Sequence, residues 1–367
     1  MKYSFLILYF IIAQTCWAFP EMSRHGYFNC TSCHLSPAGG GALTLYGREL
    51  SKELLSTSSV KGEQYFAYNA IPALSKSDKI LLGAYIRGLQ VLRENDQVNE
   101  ARTILMQADA EAAYNDKSWA ILGTVGRQEV RNGLESRGHF FSRRHYVLGR
   151  FDKHQNIRLG KFLKSYGLDD PNHYMFIRNA LNFSYDTESY NVEYSYLAEN
   201  FNAYLTVITN LKTDDYLRND ENGLAFNGSL KFDKSKLGLS LFHGTNARQR
   251  RMLGGLWGIG TFTKQFFLMS ELDFQAVMTK LTRTHTNGTV MSHRLNYEVY
   301  KGIIPFLSFD QKYLNFSNKN SELHSIGLGA RLFPRPHFEI TGAVQREARI
   351  ANSSKDTLYW LMGQLYL

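Results

Sequence analysis

Five residues near the start of the chain, Cys30-Thr31-Ser32-Cys33-His34, hold most of its reactive chemistry. The sequence has 367 residues and only three cysteines. C-x-x-C-H is the attachment sequence for c-type haem. Each sulfur adds to one haem vinyl group, and two intervening residues match the separation of those vinyls. His34 then faces the iron as proximal ligand through a neutral imidazole nitrogen. Competing chemistries fit less well. A zinc knuckle of Cys30, Cys33, His34 and His25 would need adjacent Cys-His ligands, which usual zinc spacing does not provide. A thioredoxin-like pair needs a βαβ context that the chain lacks. A disulfide across two residues is strained. One covalent haem c is therefore the expected cofactor, held by Cys30, Cys33 and His34.

The iron's sixth position is open on the sequence alone. Met22 and His25 are the candidates just before the motif, and five extended residues span at most about 18 Å, enough to pass round a haem edge. His25 is the favoured second axial ligand and Met22 the alternative, with a histidine from elsewhere or an open position also compatible.

Several elements have to place these groups. Ser36-Pro37-Ala38-Gly39-Gly40-Gly41 reads as a turn whose glycines let backbone approach a flat cofactor. Thr44 is positioned to cap a short helix with Leu45, Tyr46, Leu50 and Leu54 along one apolar face. Before the motif, residues 1–18 carry Lys2, an apolar run and Cys16-Trp17-Ala18, the pattern of a secretory signal peptide. Its removal would take Cys16 and leave Cys30 and Cys33 as the only cysteines, outside the cytoplasm, where haem attachment occurs. The expected division is a signal peptide at 1–18, a monohaem cytochrome c-like segment at 19–62 and a second domain at 63–367. Some forty residues rarely build an independent core, so the haem segment must dock on the larger C-terminal domain.

That domain has the period of strands. Leu224, Phe226, Gly228, Leu230 and Phe232 alternate with Ala225, Asn227, Ser229 and Lys231. Val192, Tyr194 and Tyr196 alternate with Asn191, Glu193 and Ser195, and Ile326, Leu328, Ala330 and Leu332 with Gly327, Gly329 and Arg331. Period two gives one apolar face and one polar or small face. About sixteen such stretches are countable, within a range of 14–18. The 22 Tyr and 24 Phe suit the aromatic girdles of an outer-membrane barrel, and the end of the chain from Leu358 to Leu367 suits a closing strand. The mean hydropathy of −0.32 excludes a polytopic helical membrane protein, whose spans need about 20 apolar residues each. The predicted fold is all-β: a transmembrane antiparallel β-barrel of about 16 strands with a short N-terminal α-helical and loop haem segment.

Residues 93–101, 212–221, 280–289 and 315–322 read as loops. Residues 133–179 are unusually basic, with Arg137, Arg143, Arg144, Arg150, Lys153, Arg158, Lys161, Lys164 and Arg178 beside His139, His145, His154 and His173. Lumen-facing strand charge accounts for most of them; a sharper expectation makes 165–178 an inward fold that narrows the pore or touches the haem segment. The basic residues match no nucleic-acid motif, and no nucleic-acid partner is expected.

The C-x-x-C-H just after the expected cleavage site, followed by Pro37, Leu43-Thr44 and Tyr46-Gly47 and then by a barrel, resembles the fused outer-membrane cytochrome–porins known from iron-oxidising bacteria. In that family a similar haem site precedes a proline and a Leu-x-x-aromatic-Gly stretch. The motif likeness covers residues 30–47; over the barrel it is one of architecture. The Gly39-Gly40-Gly41 insertion and a comparatively short barrel depart from the family, and iron is not carried over as substrate. The resemblance implies electron transfer through the bacterial outer membrane, with the haem segment periplasmic or within the lumen. The expected partners are outer-membrane lipid, a periplasmic redox protein such as a soluble cytochrome, and an extracellular donor or acceptor. Two other classes remain: a diffusion porin whose haem segment is a plug or anchor, and a peroxidase-like redox enzyme with an open iron site. Electron transfer is expected ahead of turnover.

Overall fold

The computed structural model describes residues 22, 24–72, 77–97, 99–132, 135–168, 175–184, 187–209, 211, 221–350 and 355–367, with the backbone alone at 128–132 and 135–139. The expected signal peptide lies outside these residues, as does His173.

Strands run almost without interruption from Ile80. They are β1 (Ile80–Glu94), β2 (Asn99–Asn115), β3 (Trp119–Asn132), β4 (Glu135–Phe141), β5 (His145–Arg150), β6 (Gln155–Phe162), β7 (Ser189–Leu197) and β8 (Phe201–Thr209). Then come β9 (Asn222–Phe232), β10 (Ser235–Thr245), β11 (Gln249–Thr261), β12 (Phe266–Thr279), β13 (His285–Tyr297), β14 (Ile303–Tyr313), β15 (Glu322–Arg335), β16 (Phe338–Arg349) and β17 (Lys355–Tyr366). Pairing is antiparallel throughout. β4 and β5 share one lane, because β4 pairs with the far half of β3 and β5 with its near half. The seventeen segments therefore make sixteen lanes, and β1 against β17 (Gly88↔Gly363) closes the ring. The result is a closed 16-strand antiparallel barrel.

The alternation decides which face meets what. On β9 and β10, Leu224, Leu230, Leu237 and Leu239 point outward and are exposed, while Asn227, Ser229 and Ser240 point inward and are buried. On β15, Leu328 is 66% exposed and Arg331 only 4%. A belt of exposed leucine, isoleucine and valine around a closed barrel is stable only where lipid covers it. Closure pairs the first strand with the last, as strands that cross hydrocarbon require.

The lumen is packed, and buried ion pairs line its wall: Arg158–Glu193 at 2.7 Å, Arg251–Glu221 at 2.6 Å, Arg331–Glu339 at 2.9 Å and Arg143–Asp109 at 3.1 Å. The basic run of 133–179 thus supplies inward-facing charge as expected, with Arg143, Arg158, Lys161, Lys164 and Arg178 all buried.

Two segments fold into this lumen. The first is N-terminal, residues 22–72, and carries the short helix α1 (Leu45–Leu50). It lies at the barrel end where strands are joined by short turns. Arg24 bonds Lys264 O and Glu298, Thr57 N bonds Phe333 O at 2.8 Å, and His337 bonds Gln64 O at 2.8 Å.

The second inward segment leaves β6 and crosses to the opposite wall. Gly167 N donates to Ser240 Oγ at 2.9 Å, Leu168 N to Glu271 at 2.7 Å, and Tyr166 Oη to Asp273 at 2.7 Å. A single turn of helix, α2 (Phe176–Asn179), packs beyond it with Leu181, Phe183 and Phe242. The inward fold expected at 165–178 is present on both described sides of 169–174.

Candidate functional site

Within the N-terminal segment, Cys30–Ser32 forms one tight helical turn, with Cys33 N and His34 N donating to Cys30 O. This brings the motif's side chains into a compact group. Asn202 Nδ2 bonds Phe28 O at 3.4 Å and Tyr204 Oη bonds Pro37 O at 2.9 Å, so β8 anchors both flanks of the turn. Arg158 of β6 donates to Ser36 Oγ at 2.8 Å while holding Glu193 with its other nitrogen.

Gly39, Gly40 and Gly41 all have positive φ, +90°, +68° and +72°, a run that side chains resist. They also sit close to functional groups. A Cβ on Gly39 would stand 3.3 Å from Cys30 Sγ, and one on Gly41 would stand 3.1 Å from Glu111 Oε1 and 3.2 Å from Arg144 Nη1. The turn therefore keeps bulk away from one side of the motif.

Thr44 caps α1 as expected, its Oγ1 accepting from Gly47 N at 3.1 Å. The helix continues as a wider turn over Ser51–Leu55. Its apolar face differs from the expected one. Leu50 and Leu55 are buried, but Tyr46 is 52% exposed and bonds Tyr27 hydroxyl to hydroxyl at 2.7 Å. Gly47 explains the shift: its α-carbon is pressed on Cys33, where a Cβ would meet the carbonyl oxygen at 2.3 Å. Helix and C-x-x-C-H motif touch backbone to backbone, turning Tyr46 away.

Cys30 and His34 line one cavity in the lumen. Leu43, Tyr166, Leu168, Tyr204, Trp257 and Ile259 give it large apolar and aromatic surfaces. His34 Nδ1 donates to Gly41 O at 3.3 Å, which leaves Nε2 as the unprotonated nitrogen, the tautomer a metal ligand needs. Burial holds His34 down to about 4, with the Gly41 bond opposing, so the ring is neutral at ordinary pH. Neither cysteine is in a disulfide. Donor set, tautomer and glycine turn are those a haem met by Cys30 and His34 would need.

Cys33 sits differently. It is buried in an apolar cluster with Met22, Leu50, Leu168, Trp257 and Ile259, and burial, with Cys30 nearby, pushes its thiol up to about 12. It does not line the cavity that Cys30 and His34 share.

His25 and Met22 are also outside that cavity. Met22 packs beside Cys33 in the same cluster. His25 lies toward Arg24, Lys264 and Glu298, and burial followed by the Arg24 charge lowers it to about 4. Its Nε2 is buried without a hydrogen bond. Sequence reasoning expected lumen-facing Arg144, Lys164 and Arg178 and an inward fold at 165–178, all of which reach the cavity, but missed Tyr204, Trp257 and Lys236, because only barrel closure brings their strands to the motif.

Comparison with known proteins bears on the barrel. No protein-family model matches the sequence, and neither does any curated protein. Solved structures do match. The outer membrane channel DcaP of Acinetobacter baumannii superposes with a TM-score of 0.56 at 8% identity, over 78% of this chain and 97% of that one. OmpT, an outer membrane protein of Vibrio cholerae, gives 0.60 at 10% identity over 80% and 99%. An anion-selective porin from Comamonas acidovorans gives 0.61 at 12% identity over 78% and 99%. The fold is that of the outer-membrane porins. These matches carry the barrel half of the likeness to cytochrome–porins; they lend no support to a haem or to electron transfer.

Proposed function

We propose that this chain is a porin-like barrel of the bacterial outer membrane whose lumen is closed by a haem-bearing plug at its periplasmic end. The carrying observation is that Cys30 and His34 open on one cavity inside a closed barrel. Short turns mark the periplasmic end of such barrels and longer loops the outer end, and residues 22–72 bond to short turns at Lys264 and His337. Cys30 would hold one haem c with His34 as its proximal ligand, and Cys33 would complete the attachment by leaving its apolar cluster. His25, or Met22, would reach the iron only by leaving its present packing.

When bound, the haem supplies one-electron redox chemistry. The chain's own residues position it: Thr44 and Gly47 lock α1 on the motif, Arg158 and Tyr204 tie the turn to the wall, and Gly41 O fixes the tautomer of His34. The structural neighbours support a porin-like channel; the haem-bearing plug rests on the motif and the cavity it faces. A second reading, electron transfer through the membrane between a periplasmic redox protein and an extracellular partner, is favoured by the position of the cavity. A cofactor inside the lumen shortens the gap across about 25 Å of apolar band.

Proteoliposomes separate the two. Solute flux that persists in C30S/C33S supports the channel. Electrons reaching an entrapped acceptor in the parent, and failing to do so in C30S/C33S, support transfer. A folded barrel without covalent haem, read from its reduced-minus-oxidised spectrum, rejects the haem-bearing plug in either form.

A further inference from the structure

Beside the motif the lumen narrows to a chamber bounded by two elements that are not wall. Gly39, Gly41 and Leu43 of the plug line one side, and Leu163, Tyr166 and Leu168 of the second inward segment line another. With the plug docked, the chamber holds ≈ 180 Å³. A dry cavity of about 150 Å³ takes one benzene ring, so this space suits a single-ring or short branched molecule.

The charges presented to the chamber have one sign. Arg87, Arg144, Lys164, Arg178 and Lys236 line it, and among the described residues no Asp or Glu does. Carboxylates stand behind the lining: Glu111 Oε2 is 3.2 Å from Arg144 Nη2, Glu339 neighbours Arg87, and Glu188 and Glu221 face Lys164. A solute inside therefore meets the cations first.

Two of these cations reach the chamber from the same side of the ring. Arg87 lies on β1, level with Gln364 of β17 and Gln107 of β2, and its Nε donates to Gln364 Oε1 at 2.9 Å. Two residues earlier on β1, the ring of Tyr85 has the Arg144 guanidinium 5.5 Å from its centre. A guanidinium offers paired N–H donors whose spacing matches the two oxygens of a carboxylate. Lys236, on β10, stands half-way round the ring, over the rings of Phe28 and Trp257 at 5.0 and 5.2 Å.

Resting on the porin-like channel and not on the haem, we propose that Arg87 and Arg144 receive the carboxylate of a small organic acid held between plug and inward segment. Leu43, Leu163 and Tyr166 would pack on its apolar body. A neutral molecule of the same shape would keep that packing but lose the charge-assisted hydrogen bonds.

The full chain carrying C30S/C33S cannot hold haem covalently, which leaves free solute as the only source of carboxylate. Folding is checked by heat-modifiability, and the chain is titrated with benzoate and with benzamide, its neutral counterpart. The expected result is at least tenfold tighter binding of benzoate. R87Q/R144Q should close that gap, R87Q alone, which keeps the Arg144–Glu111 pair, should narrow it, and K236Q should leave it. Equal binding of the two probes, binding of neither, or a gap that survives R87Q/R144Q in a folded barrel overturns the assignment. A gap lost in K236Q alone overturns it too, since a general field rather than a receiving pair would then select the anion. Conductance in planar bilayers is read separately. A barrel that discriminates the probes but passes no ions, even after residues 19–72 are deleted, keeps the site and rejects the channel. One that conducts without discriminating keeps the channel and rejects the site.

Discussion

At the scale of single residues, the motif depends on contacts that its own spacing does not reveal. Gly47 is the sharpest case. The nearest neighbours of an added Cβ are backbone atoms, Cys33 O at 2.3 Å and Cys33 Cα at 2.8 Å, and backbone cannot swing aside as a side chain can. Gly47→Ala should therefore lift α1 off the motif at a cost of about 1–3 kcal/mol. The expected outcome is faster protease cleavage within 22–72, with the barrel still heat-modifiable. His337 carries a pH dependence. It sits in the turn between β15 and β16, donates through Nε2 to Gln64 O, and packs edge-on to Tyr366 at 5.7 Å. Burial lowers it from 6.5 to about 4, with Arg48 adding to the effect and the Gln64 bond opposing it. Its docked value is depressed, so His337 binds the proton more readily once residues 22–72 are released. Docking is strongest above pH 6.5 and weakens as pH falls toward 4. Protease sensitivity of 22–72 should rise over that interval, and H337Q should flatten the rise.

At the scale of elements, the strands were legible and the inward folds only partly so. Alternation such as Leu224, Phe226 and Leu230 against Ala225, Asn227 and Ser229 is a local signal, since burial on one side of a pleat repeats every second residue. The lane shared by β4 and β5 was hidden because pairing with β3, not composition, defines it. The C-x-x-C-H motif was legible as chemistry, but its setting beside Tyr204, Trp257 and Lys236 depends on strands far away in sequence. The segment after β6 was visible as a basic, glycine-containing stretch, yet its anchor points on β9, β10 and β12 were not. Those anchors define a latch. Tyr166 donates to Asp273, Leu168 N to Glu271, and Asn227 Nδ2 to Gly167 O at 3.1 Å. A net hydrogen bond contributes about 0.5–1.5 kcal/mol, so losing two of them corresponds to roughly a tenfold change in the latched fraction. Y166F/E271Q should therefore increase the open-state conductance noise and raise mean conductance in planar bilayers. Unchanged traces would mean that packing of Phe183 and Leu181 holds the segment without these bonds.

At the scale of the whole molecule, the question is whether the barrel needs its N-terminal plug. The wall holds together largely by itself. Sixteen lanes close through β1 and β17 without any residue of 22–72, and the ion pairs Arg158–Glu193, Arg143–Asp109 and Arg331–Glu339 run from wall to wall. The plug adds bonds at the rim, including Arg24 to Glu298 and Arg48 to Leu82 O. It also covers apolar wall residues that polar lumens do not normally present: Phe267, Ile304 and Phe333 on one side, Leu122 and Leu148 on the other. Deleting residues 19–72 should leave a barrel that still folds and shifts on heating, because the lost contacts do not include strand pairing. Its lumen would expose those side chains to water, so binding of an apolar dye should rise while thermal stability falls. Bilayer conductance should increase several-fold, since the wall's own charges stay paired and the inward segment after β6 becomes the remaining constriction. A deletion variant that cannot form the heat-modifiable barrel would instead make the plug part of the folding core, and its docked state a condition of the membrane structure.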